Sequence, residues 1–169
     1  KMNKNRMKKI VLSFLVVLGV LCVVPGVKTE AKSKVSYSYK TTTKTYKASD
    51  GKVILKATYK AVKFKGSSSA IKKMNAAISK EKTQFFKNAK SNVEIAQSGY
   101  DWWKEGGSSY SKFSPSTMKI TSKVTFNKNG IVSVKEQYDN YFYGAPHGSY
   151  YTYGQTFKIS TGKKLTLNQ

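Results

Sequence analysis

The sequence has few of the residues that catalytic sites need. Among its 169 residues there is one cysteine, Cys22, one histidine, His147, and eight acidic residues. Cys22 lies in an apolar run near the amino end, so the rest of the chain has no thiol for a disulfide, a metal site or a nucleophile. A catalytic triad needs a nucleophile, a base and an orienting group close together, and a glycosidase needs two facing carboxyl groups. Neither set stands out in this sequence. We therefore expect no enzyme activity, no cofactor and no metal site.

Arginine is absent from the body of the chain, although that body is strongly basic. Residues 32–169 contain 25 lysines and seven acidic residues, a net charge of +18. Lysine binds as a hydrated point charge, whereas arginine is the better fork for phosphates and base edges. With no recognition motif present, nucleic acid is a poor fit. The charge favours an anionic wall polymer or a charged cell surface as partner, with a merely solubilising surface as the alternative.

The amino end has the layout of a secretory signal. Five basic residues lie among the first nine, an uncharged apolar run extends from Ile10 to Val27, and Thr29-Glu30-Ala31 follows. We expect residues 1–31 to be a signal peptide, cleaved after Ala31, that sends the protein to the cell envelope or the medium. An uncleaved membrane anchor is the alternative, but a spanning helix needs about 20 apolar residues and Pro25 interrupts this run.

Residues 32–169 have the patterns of one α+β domain. Large and polar residues alternate over 35–48 and 53–64 around an Asp-Gly turn, which predicts a hairpin. Apolar residues at helical spacing predict an amphipathic helix from Ala70 to about Lys90. Alternation then resumes over 117–126, 131–143, 150–159 and 164–167, with Asn129-Gly130 as the first turn, which predicts an antiparallel meander.

Aromatic residues are the main candidates for binding, because the chain has twelve tyrosines and two tryptophans. Residues 93–96 are consistent with a helical turn, while glycines and Pro115 make the rest of 91–116 read as a loop. Aromatic residues in a loop can form a stacking face for sugars or a protein anchor. Tyrosines at alternate positions of two neighbouring strands predict a cross-strand ladder of Tyr141, Tyr143, Tyr151 and Tyr153. His147 is expected to bond backbone groups in its turn. The candidate ligand-binding residues are Tyr100, Trp102, Trp103, Tyr141, Tyr143, His147 and Tyr151.

The carboxyl-terminal third carries a family resemblance. A tyrosine-rich strand at 141–143, a Gly-Ala-Pro-His-Gly turn at 144–148, an aromatic strand at 150–157 and a Thr-Gly-Lys-Lys-Leu-Thr-Leu close at 161–167 follow one another. This order resembles the extracellular domain-of-unknown-function pair shared by RsiV-type anti-sigma factors and PdaC-type peptidoglycan deacetylases. The resemblance spans roughly 35–169. No catalytic deacetylase domain and no cytoplasmic sigma-binding segment are recognisable, and the family domain normally continues beyond the close, so the chain is expected to be incomplete there.

Three functions follow as expectations. The first is an exported, non-catalytic binding domain for an anionic wall polymer, glycan or surface protein. The second, implied by the RsiV resemblance, is a sensor or inhibitor of lysozyme, but familiar animal lysozymes are basic and like net charges suppress encounter. The third, implied by the PdaC resemblance, is an accessory domain of a deacetylase whose catalytic part is elsewhere.

Overall fold

The computed structural model describes residues 34–107 and 112–166. Within those ranges one mixed sheet has six strands, whose spatial order is the chain order. The strands are β1 (Tyr37–Lys47), β2 (Val53–Phe64), β3 (Ser116–Lys128), β4 (Ile131–Tyr141), β5 (Ser149–Lys158) and β6 (Lys164–Leu165). Two helices, α1 (Ser69–Ser91) and α2 (Val93–Lys104), lie between β2 and β3. The predicted α+β order of hairpin, helix and meander is confirmed.

The two predicted hairpin turns have the backbone that their residues favour. Asn129 and Gly130 have φ of 55° and 74°, and Gly51 has φ of 83°. Asn129-Gly130 is a two-residue hairpin turn, which matches the twist of its strands when both central positions have positive φ, and asparagine and glycine accept this most easily. The Asn129-Gly130 turn thereby sets the start of the β3–β4 register, in which Lys128 faces Ile131.

A parallel ladder joins the two halves of the sheet, and the sequence patterns do not predict it. Residues Leu55–Lys60 of β2 pair in parallel with Ser116–Thr121 of β3, whereas the other neighbouring pairs of the described sheet are antiparallel. Parallel neighbours need a long crossover connection. The two helices supply it, and both contact β2.

The first helix follows its apolar stripe closely. Ser68 caps its amino end, where the Oγ atom accepts a hydrogen bond from the Ile71 N–H at 3.2 Å. Its buried residues include Met74 and Phe85, which face the core as predicted. Asn75 also ties the helix to the end of β2, since its side chain accepts from the Phe64 N–H at 3.0 Å and donates to the Phe64 carbonyl at 2.9 Å.

The second helix includes the helical turn considered for residues 93–96 and corrects the prediction of a loop over residues 97–104. Val93 to Lys104 is helical and contains both tryptophans. Gly99 is needed there, because a Cβ at this position would collide with the backbone carbonyl of Tyr143. The glycine that made the segment read as a loop instead allows a helix to approach the backbone that follows β4 closely.

The sheet curls so that the segment just before β1 reaches the end of β3. The Asn127 side chain accepts from the Val35 N–H at 3.0 Å and donates to the Val35 carbonyl at 2.8 Å. Beyond the parallel ladder, the Phe64 ring packs edge-on against Phe157 of β5, with centroids 6.2 Å apart. The curl therefore encloses one continuous core.

Two expectations fall on residues outside the described ranges. The proposed signal peptide, residues 1–31, lies wholly outside them, and so does Leu167 of the last predicted strand. Of the helices in the described ranges, none combines the length and apolarity needed to cross a membrane.

Candidate functional site

The registers assign the side chains of the sheet to two faces. Tyr59 lies beside Ile120, Ile120 opposite Tyr138, and Tyr138 opposite Tyr151, so these residues share one face. We call it the inner face, because most of its side chains are buried and α1 packs on it through Phe85, whose ring lies 5.5 Å from that of Tyr59. The alternate positions form the outer face, on which Thr58 lies beside Lys119 and Lys119 opposite Asp139.

The outer face is rich in lysine and threonine. We call its central lysines the outer-face lysines: Lys56, Lys60, Lys119, Lys123 and Lys135. Four are exposed, and Lys135 is half-buried. Among the described residues of β2, β3 and β4, Asp139 is the one carboxylate on this face. The surface is therefore a strongly basic patch on the sheet.

The outer-face lysines are poorly matched by charges within the protein. In the described part of the chain the ion pairs are Lys104–Asp101 at 3.1 Å and Lys164–Glu81 at 3.9 Å, neither of which involves this face. Lys123 lies directly opposite Lys135, an arrangement that destabilises a sheet. No ion pair within the described residues offsets this repulsion.

Four of the predicted ligand-binding residues meet in one aromatic cluster. Tyr100 stacks on Trp103 with centroids 5.8 Å apart, and Trp102 lies 6.4 Å from Tyr143. Phe113 links them, at 4.8 Å from Tyr100 and 4.9 Å from Tyr143. Tyr100 and Tyr143 are buried, whereas Trp102 is 45% exposed. Most of this cluster therefore belongs to the core that seats α2 on the sheet.

Tyr100 also has a structural polar contact. Its hydroxyl donates to Asp50 Oδ2 at 2.7 Å, and the Lys52 N–H donates to Asp50 Oδ1 at 3.0 Å. The Lys52 backbone bond and then the Tyr100 bond lower the pKa of Asp50, and the bond to Asp50 raises the pKa of Tyr100. Tyr100 thus fastens α2 to the first hairpin turn.

The predicted ladder of tyrosines has the wrong members. Tyr138 lies opposite Tyr151 with rings stacked at 4.5 Å, and Tyr151 lies 6.0 Å from Tyr153. Tyr141 ends β4 on the outer face, and Tyr143 lies beyond the strand. The prediction failed because the connection 142–148 is longer than the turn expected, which shifts the register of β5.

The turn that contains His147 has local contacts. The exposed His147 Nδ1 lies 3.2 Å from the Gly148 carbonyl, in keeping with the expectation that its imidazole bonds backbone. Gly144 has φ of 87°, and a Cβ there would lie 3.4 Å from the Trp102 ring. No cluster of three histidine, cysteine, aspartate or glutamate side chains suited to a metal ion occurs in residues 34–107 and 112–166.

A cleft of about 330 Å³ lies between α1 and the carboxyl-terminal strands. Its sheet side has the tyrosine ladder, which we define as Tyr138, Tyr151 and Tyr153. Its helix side has Glu81, Gln84, Asn88, Ser91 and Asn92, and its floor has Phe85, Met118 and Ile120. Tyr151 is 51% exposed, so the ladder is accessible from solvent.

A buried carboxylate lies behind this cleft. Glu136 is fully buried, accepts from Ser122 Oγ at 3.0 Å and from the Tyr59 hydroxyl at 3.2 Å, and lies opposite Tyr153. Burial raises its pKa to about 7, although both hydrogen bonds act in the opposite sense. Burial also raises the pKa of Tyr153. Near neutral pH, Glu136 is therefore partly protonated.

Sequence reasoning missed most of the residues that line the cleft. The spacing of Glu81, Gln84, Asn88 and Asn92 places them on one helical stripe, and this polar stripe was a usable signal. Alternation from Val132 to Tyr138 also placed Glu136 on the apolar side of its strand. The sequence did not indicate that the polar stripe of α1 faces β4, because the two elements are distant in the sequence.

Comparison with solved structures identifies proteins of similar fold. No protein-family model matches the sequence, and no curated protein matches it. A DUF3298-family protein from Bacteroides fragilis NCTC 9343 is similar in structure, with a TM-score of 0.54 and 14% identity over 81% of this chain and 61% of its own. A DUF3298-family protein from Pseudomonas aeruginosa PAO1 has a TM-score of 0.52 and 10% identity over 81% of this chain and 57% of its own.

These neighbours define the fold class, which is that of DUF3298-family proteins, a domain of unknown function. The chain spans about three fifths of the length of each. The expected resemblance to a domain of unknown function is confirmed at the level of the fold. The connections to RsiV-type and PdaC-type proteins stay predictions.

Proposed function

We propose that the protein is an exported, non-catalytic binding domain of the cell envelope, and that its outer face binds an anionic wall polymer. The observation that carries the proposal is the set of five outer-face lysines, accompanied on the same face of β2, β3 and β4 by a single carboxylate, Asp139. The leader-like amino end supports export, and the fold is shared with DUF3298-family proteins.

The geometry favours a repeating polyanion over a compact ligand. Thr58, Thr117 and Thr121 lie between the lysines on the same face, so hydroxyl donors alternate with ammonium groups across the strands. Exposed ion pairs contribute only about 0.2–1 kcal/mol each. Useful affinity therefore needs several contacts at once, as a polymer with many anionic groups provides.

The test is sedimentation with purified cell walls, either intact or after extraction of the anionic polymer. We expect retention on intact walls at low salt and its loss after extraction, because the contacts are electrostatic. Replacing Lys119, Lys123 and Lys135 by glutamine should weaken binding roughly tenfold, given ~0.2–1 kcal/mol for each exposed pair.

A matched control distinguishes a specific face from net charge. Lys72, Lys73 and Lys80 are exposed on α1, and glutamine at all three removes the same charge. We expect this control to keep most of its wall binding. Equal losses in the two triple variants would show that the charge acts nonspecifically, and no retention of the unmodified protein on intact walls would refute the proposal.

Lysozyme binding, the function implied by the RsiV resemblance, receives less support. The outer face would present lysines to an enzyme that is itself basic, and like charges disfavour association. Calorimetry of the protein with animal lysozyme separates the two proposals. A complex that forms there and survives the outer-face substitutions would favour the sensor function.

A further inference from the structure

We propose that the cleft between α1 and the tyrosine ladder is a second binding site, for a short uncharged oligosaccharide. The ladder and the outer-face lysines are on opposite faces of the sheet, so this site does not depend on the polymer-binding proposal. The cleft volume of about 330 Å³ is within the range of small-ligand sites, roughly 300–1,000 Å³.

The charge around the cleft argues against an anionic ligand. Among the described residues no lysine lines it, although lysine is abundant in the chain. Glu81 lies at its edge, with Lys164 3.9 Å away as counter-charge, and Glu136 lies behind its wall. A second depression, between α1 and the first hairpin, is lined by Lys40, Lys63 and Lys82. An anion would therefore select that surface or the outer face.

The polar groups of the cleft match a polyhydroxylated ligand. Gln84 and Asn88 each carry an amide that both donates and accepts, and they are joined by a hydrogen bond of 2.8 Å from Gln84 Nε2 to Asn88 Oδ1. Across the cleft, the tyrosine ladder offers phenol hydroxyls. Sugar hydroxyls, which are also both donors and acceptors, can bond to both sides.

The apolar groups match the C–H faces of sugar rings. Phe85, Met118 and Ile120 form the floor, and tyrosine supplies an apolar body with a polar end. The helical stripe from Glu81 to Asn92 is roughly 16 Å long at 1.5 Å per residue. A site of this length suits an oligosaccharide better than a single sugar.

The test is a titration of the full protein, monitored by ¹H–¹⁵N NMR and by calorimetry. Two uncharged probes are used separately: cellotetraose, and the tetramer of N-acetylglucosamine. We expect at least one to bind, with shifts at cleft residues and an affinity that is unchanged between low and high salt. Tyr151→Ala should weaken that binding about tenfold, which corresponds to ~1.4 kcal/mol.

Tyr150→Ala is the matched control, because Tyr150 is the adjacent tyrosine, 61% exposed, on the outer face. It should leave the oligosaccharide affinity unchanged. Asn88→Ala tests the helix side and should also weaken binding. Absence of binding by both probes would overturn the proposal, and so would equal losses in the two tyrosine variants. The glutamine triple variant of the outer face should keep oligosaccharide binding, so the two proposals can fail separately.

Discussion

Lys135 and Glu136 are neighbours on β4, yet they point to opposite faces of the sheet and into opposite environments. Lys135 is one of the five outer-face lysines and is half-buried. Glu136 is fully buried, and its partners are the neutral hydroxyls of Ser122 and Tyr59. A charged side chain at the surface is screened by solvent and salt, so it costs the fold little stability. A buried ionisable group without a counter-ion is destabilised in its charged form, so its pKa shifts to favour the neutral form. The two faces therefore respond differently to substitution, pH and salt.

The largest difference should come from two adjacent residues of β5. Phe157 is fully buried on the inner face, and Lys158 is exposed on the outer face. Phe157→Ala should lower the free energy of unfolding by about 3–5 kcal/mol, since it leaves a cavity in the core. Lys158→Ala should change it by less than about 0.5 kcal/mol. Urea unfolding measures both, and similar losses would contradict the assignment of faces.

The next effect is the pH dependence that Glu136 introduces. Its folded pKa of about 7 is above its ordinary value of 4.5, so the folded state holds the proton more tightly. Its contribution to stability is complete below about pH 4.5 and is lost as the pH rises to about 7. The loss is on the order of 3 kcal/mol at about 1.4 kcal/mol per pKa unit.

Glu136→Gln should remove that slope and make the protein more stable than the unmodified form at pH 8, as seen by urea unfolding across the pH range. Asp139→Asn is the control, because this carboxylate is exposed on the outer face, and it should leave the slope in place. A slope that persists in Glu136→Gln would show that another group causes it.

The smallest effect concerns the opposed pair Lys123 and Lys135. Lys135→Glu should raise stability by about 0.2–1 kcal/mol at low salt, because an opposite-charge pair replaces a like-charge pair. Lys56→Glu is the control, since Lys56 faces Thr45 and Thr117, and it should give no such gain. Thermal unfolding at low and high salt measures the difference. A gain that survives high salt would not be electrostatic.

Local chemistry made much of the fold predictable. Asn129-Gly130 fixed one hairpin, and the stripe through Met74 and Phe85 fixed α1. Gly99 led to the wrong prediction of a loop, because what requires glycine there is the close contact with Tyr143, which depends on tertiary structure. The same holds for the ladder, where the register of Tyr138 with Tyr151 depends on the conformation of the whole 142–148 connection.

The candidate site was less predictable than the fold. Three of the seven residues selected for binding, Tyr100, Trp103 and Tyr143, are wholly or partly buried in the cluster that seats α2. Tyr151 does line the cleft, but its partners Gln84 and Asn88 are on a helix far away in the sequence. When a cleft lies between elements that are distant in the sequence, the only local signal for it is the pattern of polar residues along each element.

The parallel ladder between β2 and β3 also bears on how the chain assembles. Each hairpin joins residues that are close in sequence, but this ladder pairs Leu55 with Ser116 and Lys60 with Thr121. Closing so long a segment costs more chain entropy than closing a hairpin. Non-local pairing of this kind slows folding. We therefore expect the six pairs of this ladder to form later than the hairpins when the chain folds.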